Sequence, residues 1–256
     1  MHNILPNFTY APLLNAILVS ALCALLGYIL AFKVRYFDRL ANNPIVPPFI
    51  GVPTTFLALL IAFMSAAVWQ NSSSAHAALQ QERMALKKLQ LLPVASPEVR
   101  MKKDKYLHDY VAIVQREEWG MHDNRHPVKG AEDVLDSLLR YVFMNQKAAS
   151  VSGVDAGSDA VRFVEDLYSA RDRRLSLGRM ADYGYLSKWI IIYLLVFVAC
   201  FNIAIVHREK PRAAVVALAV FGVCCVLVMS IVSLYIHPYK GPNALRSSEL
   251  SVIGMP

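Results

Sequence analysis

The four longest apolar segments of this sequence contain no Asp, Glu, Lys, Arg or His. They cover residues 13–32, 56–69, 189–206 and 213–236 of a 256-residue chain that is 56% hydrophobic. Helices of about 20 mainly apolar residues are long enough to cross the hydrocarbon layer of a membrane. Proton relays and ion-coupled carriers usually need an ionisable residue inside a span, so the absence of one argues against secondary active transport.

Signals of catalysis and metal binding are missing as well. The sequence has no Ser/His/Asp arrangement, no glycine-rich phosphate loop and no paired-carboxylate motif, so we predict that it is not an enzyme and uses no cofactor. Its four cysteines lie inside apolar segments without metal-ligand spacing and serve as small hydrophobes. His122 and His126 have the spacing of a helical metal site, but Gly120 and Pro127 favour a solvated interhelical loop. We therefore predict no metal site.

Acidic residues are fewer than basic ones, 19 against 26, which gives a net charge of +7. Most basic residues flank the apolar segments, which indicates anionic lipid and membrane topology rather than nucleic acid. Ten of them lie in the flanks of the central insert and in the tail, against six in the two short loops. This count places the insert and both termini in the cytoplasm.

Helical periodicity predicts an all-α integral membrane protein, with four transmembrane helices and a helical soluble insert between the second and the third. We divide the chain into transmembrane helices 1 and 2 (1–69), a soluble domain (70–187), and transmembrane helices 3 and 4 with a C-terminal tail (188–256). The first apolar segment is a membrane helix and not a cleavable signal, because no basic region precedes it. Four prolines between residues 44 and 53 predict an irregular or re-entrant stretch at 45–52.

One long helix, predicted from Pro53 to Leu92, organises the chain. About 40 residues at 1.5 Å each extend about 60 Å, twice the hydrocarbon thickness. In its membrane half, small residues at 58, 62, 65 and 66 lie opposite a bulky apolar face, and we expect them to favour close packing with a neighbouring span of the same protomer. In its projecting half, Leu79, Leu86 and Leu89 have the spacing of a helix-packing seam.

The bulky face of the membrane half carries Phe56, Leu60 and Phe63. These side chains form either a lipid-facing or bundle-core stripe, or a hydrophobic constriction that gates a pore by dewetting. A four-helix protomer is too thin to enclose a pore alone, so the pore interpretation requires a homo-oligomer.

Two polar groups complete the candidate site. The pore-exit group consists of Gln70, Asn71 and Ser74, just beyond the membrane half of the long helix. The second group consists of Arg171, Arg173 and Arg174, which form either a solvated helix face near the lipid headgroups or an anion-attracting vestibule.

Three stretches have a recognisable pattern: Phe56 to Trp69 followed by Gln81-Glu82-Arg83, then Ala170-Arg171-Asp172-Arg173-Arg174-Leu175, and His237-Pro238-Tyr239-Lys240-Gly241-Pro242. These stretches, and the order of two spans, a helical insert and two further spans, resemble the bestrophin-like bacterial membrane proteins. True bestrophins are pentameric anion channels whose second membrane helix lines an apolar neck, with a cytoplasmic insert and termini. The resemblance implies the same fold here, with Phe56, Leu60 and Phe63 at the neck. The acidic calcium-clasp run of animal bestrophins is missing, so calcium gating is not implied.

These observations predict a multi-pass protein of the bacterial inner membrane that forms a homo-oligomer, a pentamer by the resemblance. Its leading function is a passive channel for inorganic anions, and its partners are the lipid bilayer and those ions, with no nucleic acid. The alternative is a non-conducting membrane sensor or scaffold whose insert binds a partner protein. A ring with the second helices around an axis supports the channel, whereas a dimer with those helices facing lipid supports the scaffold.

Overall fold

A computed structural model describes residues 11–34, 48–93, 96–149, 156–180, 185–240 and 244–251, and all regular structure in this part of the chain is helical, as predicted. The elements are α1 (Ala11–Lys33), α2 (Pro48–Leu91), α3 (Pro97–Ile113), a π-helix (Val114–Trp119), α4 (Lys129–Ala149), α5 (Ala156–Met180), α6 (Tyr185–Val206), α7 (Pro211–Tyr235) and a 3₁₀ turn (Ser247–Leu250). The chain forms two compact units. The membrane unit comprises Met1–Gln70 and Tyr183–Ile236, and the insert unit comprises Asn71–Asp182 and His237–Pro256, so the tail groups with the insert.

The membrane unit is built from helices long and apolar enough to cross a bilayer. Four such segments lie among the described residues, as the sequence predicts: Leu14–Lys33, Gly51–Leu91, Ser187–Val206 and Pro211–Tyr235. Helix α1 packs against α6 and α7. Gly27 permits the approach of α6, because a Cβ at this position would lie 3.0 Å from the Phe201 nitrogen and 3.1 Å from the Cys200 carbonyl carbon. Small residues are the usual means of bringing membrane helices this close.

Helix α2 is 44 residues long and contributes to both units. It begins at Pro48, so the predicted irregular stretch at 45–52 is wrong from residue 48 onward, while 45–47 lie outside the described residues. Proline is compatible with the first helical position, where its missing N–H has no partner to lose. Pro53 lies inside the helix, which is tolerated in membrane spans because neighbouring groups can satisfy the freed carbonyl.

The packed face of α2 in the membrane unit differs from the predicted one. Leu57, Met64 and Val68 are at most 4% exposed there. Ala58 and Ala62 are exposed, so the expectation that the small-residue face docks on spans of the same protomer is wrong. Larger side chains make more van der Waals contacts per residue, which favours their use at this contact.

The insert unit has its own hydrophobic core, to which α3, α4, α5 and the projecting half of α2 all contribute. Leu79, Leu86 and Leu89 are at most 3% exposed in this core, which confirms the predicted packing seam. Helix α3 begins at Pro97 and is capped by Ser96, whose hydroxyl accepts a hydrogen bond from the Val99 amide at 3.3 Å.

The C-terminal end of α2 is held by a buried lysine from α3. The Lys103 ammonium donates to the carbonyls of Gln90 at 2.8 Å and Leu92 at 3.1 Å. These carbonyls carry the negative end of the helix dipole, so the cation meets them favourably. Burial nevertheless lowers the pKa of Lys103, an effect that the nearby Asp104 opposes.

The residues that follow α7 pack into the same unit. Tyr239 meets the Trp119 ring edge to face at 5.5 Å between centroids, and the Trp119 indole donates to the Leu245 carbonyl at 3.3 Å. Gln115 donates to the Ser247 carbonyl at 3.0 Å. The tail is therefore anchored on the π-helix through Tyr239, Leu245 and Ser247. Tyr239 belongs to the His237–Pro242 motif of the sequence, of which Gly241 and Pro242 lie outside the described residues.

Candidate functional site

The predicted neck residues lie on a face of α2 that its own protomer leaves largely uncovered. Phe56 is 60% exposed and Phe63 is 65% exposed. Leu60 is partly buried and packs against the core of the membrane unit, because it lies between the exposed face and the face of Leu57. Two large aromatic side chains therefore point away from the protomer, about two turns apart on one helix.

Polar residues continue this face beyond the apolar stretch. Gln70 is exposed and lies seven residues after Phe63, while Ser74 is partly buried. Residues seven apart on an α-helix differ in direction by only about 20°, so Gln70 shares the side of Phe63. Asn71 lies nearer the packed side, where its amide nitrogen is buried without a hydrogen-bond partner.

Four charged side chains are buried together in the insert unit. Glu82 on α2, Glu118 in the π-helix, and Arg171 and Arg174 on α5 are each at most 4% exposed. Arg174 donates from Nε to Glu82 Oε2 and from Nη2 to Glu118 Oε2, both at 2.7 Å. Arg171 donates from Nε to Glu118 Oε1 at 3.0 Å. In this buried charge cluster, two guanidinium groups balance two carboxylates, as buried ions require.

Neutral groups around the cluster supply further hydrogen bonds. The Tyr110 hydroxyl donates to Glu82 Oε1 at 2.6 Å, and the Val128 amide donates to Glu118 Oε1 at 3.2 Å. Arg174 also donates from Nη1 to the Asn124 side-chain oxygen, and its Cζ lies 5.2 Å from the centre of the Trp119 ring, a cation–π distance. Arg174 Nη2 donates to Glu82 Oε1 as well, at 3.2 Å. Each carboxylate thus receives at least three hydrogen bonds, which offsets much of the cost of removing it from water.

The local backbone brings these partners together. In the π-helix the Gly120 amide bonds to the Gln115 carbonyl at 3.2 Å, one residue further back than in an α-helix. Asp123 and Asn124 then adopt positive φ angles of 49° and 58°. The Asn124 carbonyl lies so close to Gly178 that a Cβ there would be 2.8 Å from its carbon and nearer still to its oxygen.

Gly178 therefore has a packing role inside its helix. Helix α5 continues past it to Met180, and the missing side chain leaves room for the loop backbone at Asn124.

The electrostatics favour the charged forms of Glu118 and Arg174. Burial alone would raise the pKa of Glu118, but the hydrogen bond from Arg171 and the charge of Arg174 outweigh it and lower that pKa. Burial works against the charge of Arg174, yet Glu82 raises the pKa of this guanidinium well above its usual value. Burial and Glu82 together raise the pKa of Tyr110, so its hydroxyl keeps the proton that it donates.

The three arginines predicted as a vestibule do not share one environment. Arg171 and Arg174 are buried and paired with carboxylates, so neither presents a free charge to solvent, which argues against the predicted vestibule role for these two. Arg173 is exposed, and an anion-attracting role for it stays a prediction.

Sequence reasoning missed this cluster. The sequence predicts only a solvated interhelical loop around His122 and His126, whose rings lie 6.1 Å apart, next to the buried Glu118. Among the described residues, no group of three or more His, Cys, Asp or Glu is placed to hold a metal ion. A usable signal was present: Glu82 occupies a seam position between Leu79 and Leu86, and a charge on a packing face needs a buried partner.

Comparisons with known proteins agree with this architecture. A family model described as a bestrophin-like domain matches residues 17–250. Two single-substitution variants of a bacterial bestrophin homologue from Klebsiella pneumoniae superpose with a TM-score of 0.67 at 10% and 11% identity, covering 94% and 96% of this chain and 95% and 94% of theirs. A zinc-phased crystal structure of the Klebsiella pneumoniae homologue gives 0.65 at 10% identity, covering 93% of each chain. No curated protein matches the sequence significantly.

Proposed function

Since the chain belongs to the bestrophin-like family, we propose that it is the subunit of a homo-oligomeric passive ion channel in which α2 lines an apolar neck. By the family resemblance the oligomer is a pentamer in the bacterial inner membrane. The conducted ions are inorganic anions, a preference that the net charge of +7 and the exposed guanidinium of Arg173 support.

The observation that carries the proposal is the outward face of α2. Phe56 and Phe63 are 60% and 65% exposed, whereas the same helix packs in the membrane unit through Leu57, Met64 and Val68 on another side. Copies of this face around an axis would form a ring without charge, in which an ion loses hydration and gains no compensating ligand. Such a ring is a barrier until it widens or wets.

Liposome flux measurements test the channel. In properly assembled protein, Phe63→Ala should raise anion flux, or create it where the parent shows none, because truncation widens the constriction. Leu194→Ala is the matched control, since Leu194 is 60% exposed on α6 and should leave flux unchanged. Flux identical to the parent in Phe56→Ala, Leu60→Ala and Phe63→Ala would remove the pore.

Membrane orientation belongs to the same proposal, with the insert unit in the cytoplasm. Met101 in α3 and Glu209 in the turn between α6 and α7 are both exposed and suit cysteine labelling in intact cells. An impermeant thiol reagent applied outside should modify Glu209→Cys and spare Met101→Cys. The opposite pattern would invert the orientation, and the unsubstituted chain controls for its four native cysteines.

The scaffold alternative has its own supporting observation. Met101, Phe143 and Met144 are exposed on the insert unit, and apolar side chains outside the membrane are typical of protein contact surfaces. A purified dimer with the α2 faces against lipid, together with flux that no neck substitution changes, would favour this function over the channel.

A further inference from the structure

Helix α2 carries several charged residues, and only one of them shares the side of Phe63. At about 100° per residue, Lys88 lies seven turns after Phe63 and within about 20° of its direction. Arg83 and Lys87 point about 160° and 120° away by the same measure, and Glu82 is buried in the charge cluster. Between Phe63 and Lys88, the residues of α2 within about 40° of the Phe63 direction are all polar or small, among them the exposed Gln70 and Gln81.

Lys88 is part of a small constellation with α5. Its ammonium lies 3.6 Å from Asp166 Oδ2, and the two side chains are each 46% exposed. The same ammonium lies 5.0 Å from the centre of the Phe163 ring, a distance at which the aromatic face attracts a cation. Asp166 and Phe163 therefore hold the lysine head group in place while leaving it accessible to water and ions.

We propose that the Lys88–Asp166 pair is a charge-selectivity determinant of this protein, acting on ions that pass along the Phe63 side of α2. The inference rests on the proposed channel and deepens it. At 3.6 Å the two opposite charges largely cancel for an ion farther away, so the intact pair keeps this part of the path close to neutral. Loss of either partner exposes the charge of the other and shifts the ion preference of the path. Rings of charged side chains are a known means of selecting ions by sign.

The exposure of the pair supports a role in selectivity over one in stability. A half-exposed ion pair contributes little to folding, because water screens it and because both side chains lose freedom. The unpaired charge that remains when either partner is removed, by contrast, acts on mobile ions within about a Debye length, roughly 10 Å at 0.1 M salt. Several copies around an axis would add their fields, which increases the effect on permeating ions.

Reversal potentials in a salt gradient test the proposal in reconstituted protein. Lys88→Gln leaves Asp166 unpaired and should lower the anion-to-cation permeability ratio by about twofold or more. Asp166→Asn leaves Lys88 unpaired and should raise the same ratio by a similar factor. Lys87→Gln is the matched control, because it removes the same charge one residue away on another side of α2 and should leave the ratio unchanged.

The outcomes separate this inference from the channel itself. Opposite shifts for Lys88→Gln and Asp166→Asn, with none for Lys87→Gln, support the pair as a selectivity determinant. Flux that responds to Phe63→Ala while all three charge variants keep the parent ratio overturns the inference and leaves the channel standing. Equal shifts for Lys87→Gln and Lys88→Gln also overturn it, since they indicate net charge alone. If neither the parent nor Phe63→Ala conducts, the channel fails and the inference falls with it.

Discussion

Replacing Arg174 by methionine should destabilise the insert unit strongly. Methionine has a similar length and an apolar end, so Arg174→Met keeps most of the packing and removes the charge. The change leaves Glu118 buried with Arg171 and leaves Glu82 buried with the Tyr110 hydroxyl in place of a guanidinium. Breaking a buried ion pair costs about 3–5 kcal/mol, and because Arg174 serves both carboxylates we expect the upper end of this range.

Thermal unfolding of the detergent-solubilised protein measures the effect. At about 2–4 °C per kcal/mol for a chain of this size, a loss of about 5 kcal/mol should lower the melting temperature by about 10–20 °C. Arg173→Met is the control, because Arg173 is exposed one residue away and surface substitutions usually stay within about 0.5 kcal/mol. Adding Glu82→Gln to Arg174→Met removes the buried negative charge that has lost its guanidinium partner, and it should restore part of the lost melting temperature. Equal melting temperatures for Arg174→Met and Arg173→Met would refute the reasoning.

Three further changes probe the insert unit and its surroundings. Gly178→Ala should lower stability by about 1–3 kcal/mol or more in thermal melts, because its Cβ meets the Asn124 backbone, while Gly222→Ala, with nothing within 4 Å, should not destabilise. Leu86→Asp places a charge at a fully buried position and should break up the purified assembly; an unchanged elution volume would contradict this. The pKa of Glu118 is lowered from 4.5 in the folded protein, so its stabilisation is complete above that value and is lost as pH falls through the folded pKa. The acid slope of the melting temperature should flatten in Glu118→Gln.

The helical layout could be predicted because it depends on local patterns. Uncharged apolar runs gave the four spans, and the spacing of Leu79, Leu86 and Leu89 identified the face of α2 that packs in the insert unit. The side of α2 that packs in the membrane unit was predicted wrongly. In a membrane both bulky and small residues can face a neighbouring helix, so periodicity alone does not decide between the side of Leu57 and that of Ala58.

The buried charge cluster could not be predicted in detail because its members are far apart in sequence. Glu82 and Arg174 are joined only by the packing of α2 against α5, and Glu118 reaches them through a π-helix, which has no simple sequence signature. Arg171 and Arg174 were recognised as a motif, yet their three-residue spacing fits a solvated face as well as a buried one. Burial alone distinguishes the two.

The π-helix also limits how this chain can change in length. Deleting one residue between Val114 and Trp119 would convert the wide turn to an α-helical one. The side chains after the deletion would then rotate by about 100° relative to those before it. Glu118 would then leave Arg174, and Trp119 would leave Tyr239. We expect related sequences that keep these partners to keep this stretch free of insertions and deletions, so it can serve as a fixed point when distant members of the family are aligned.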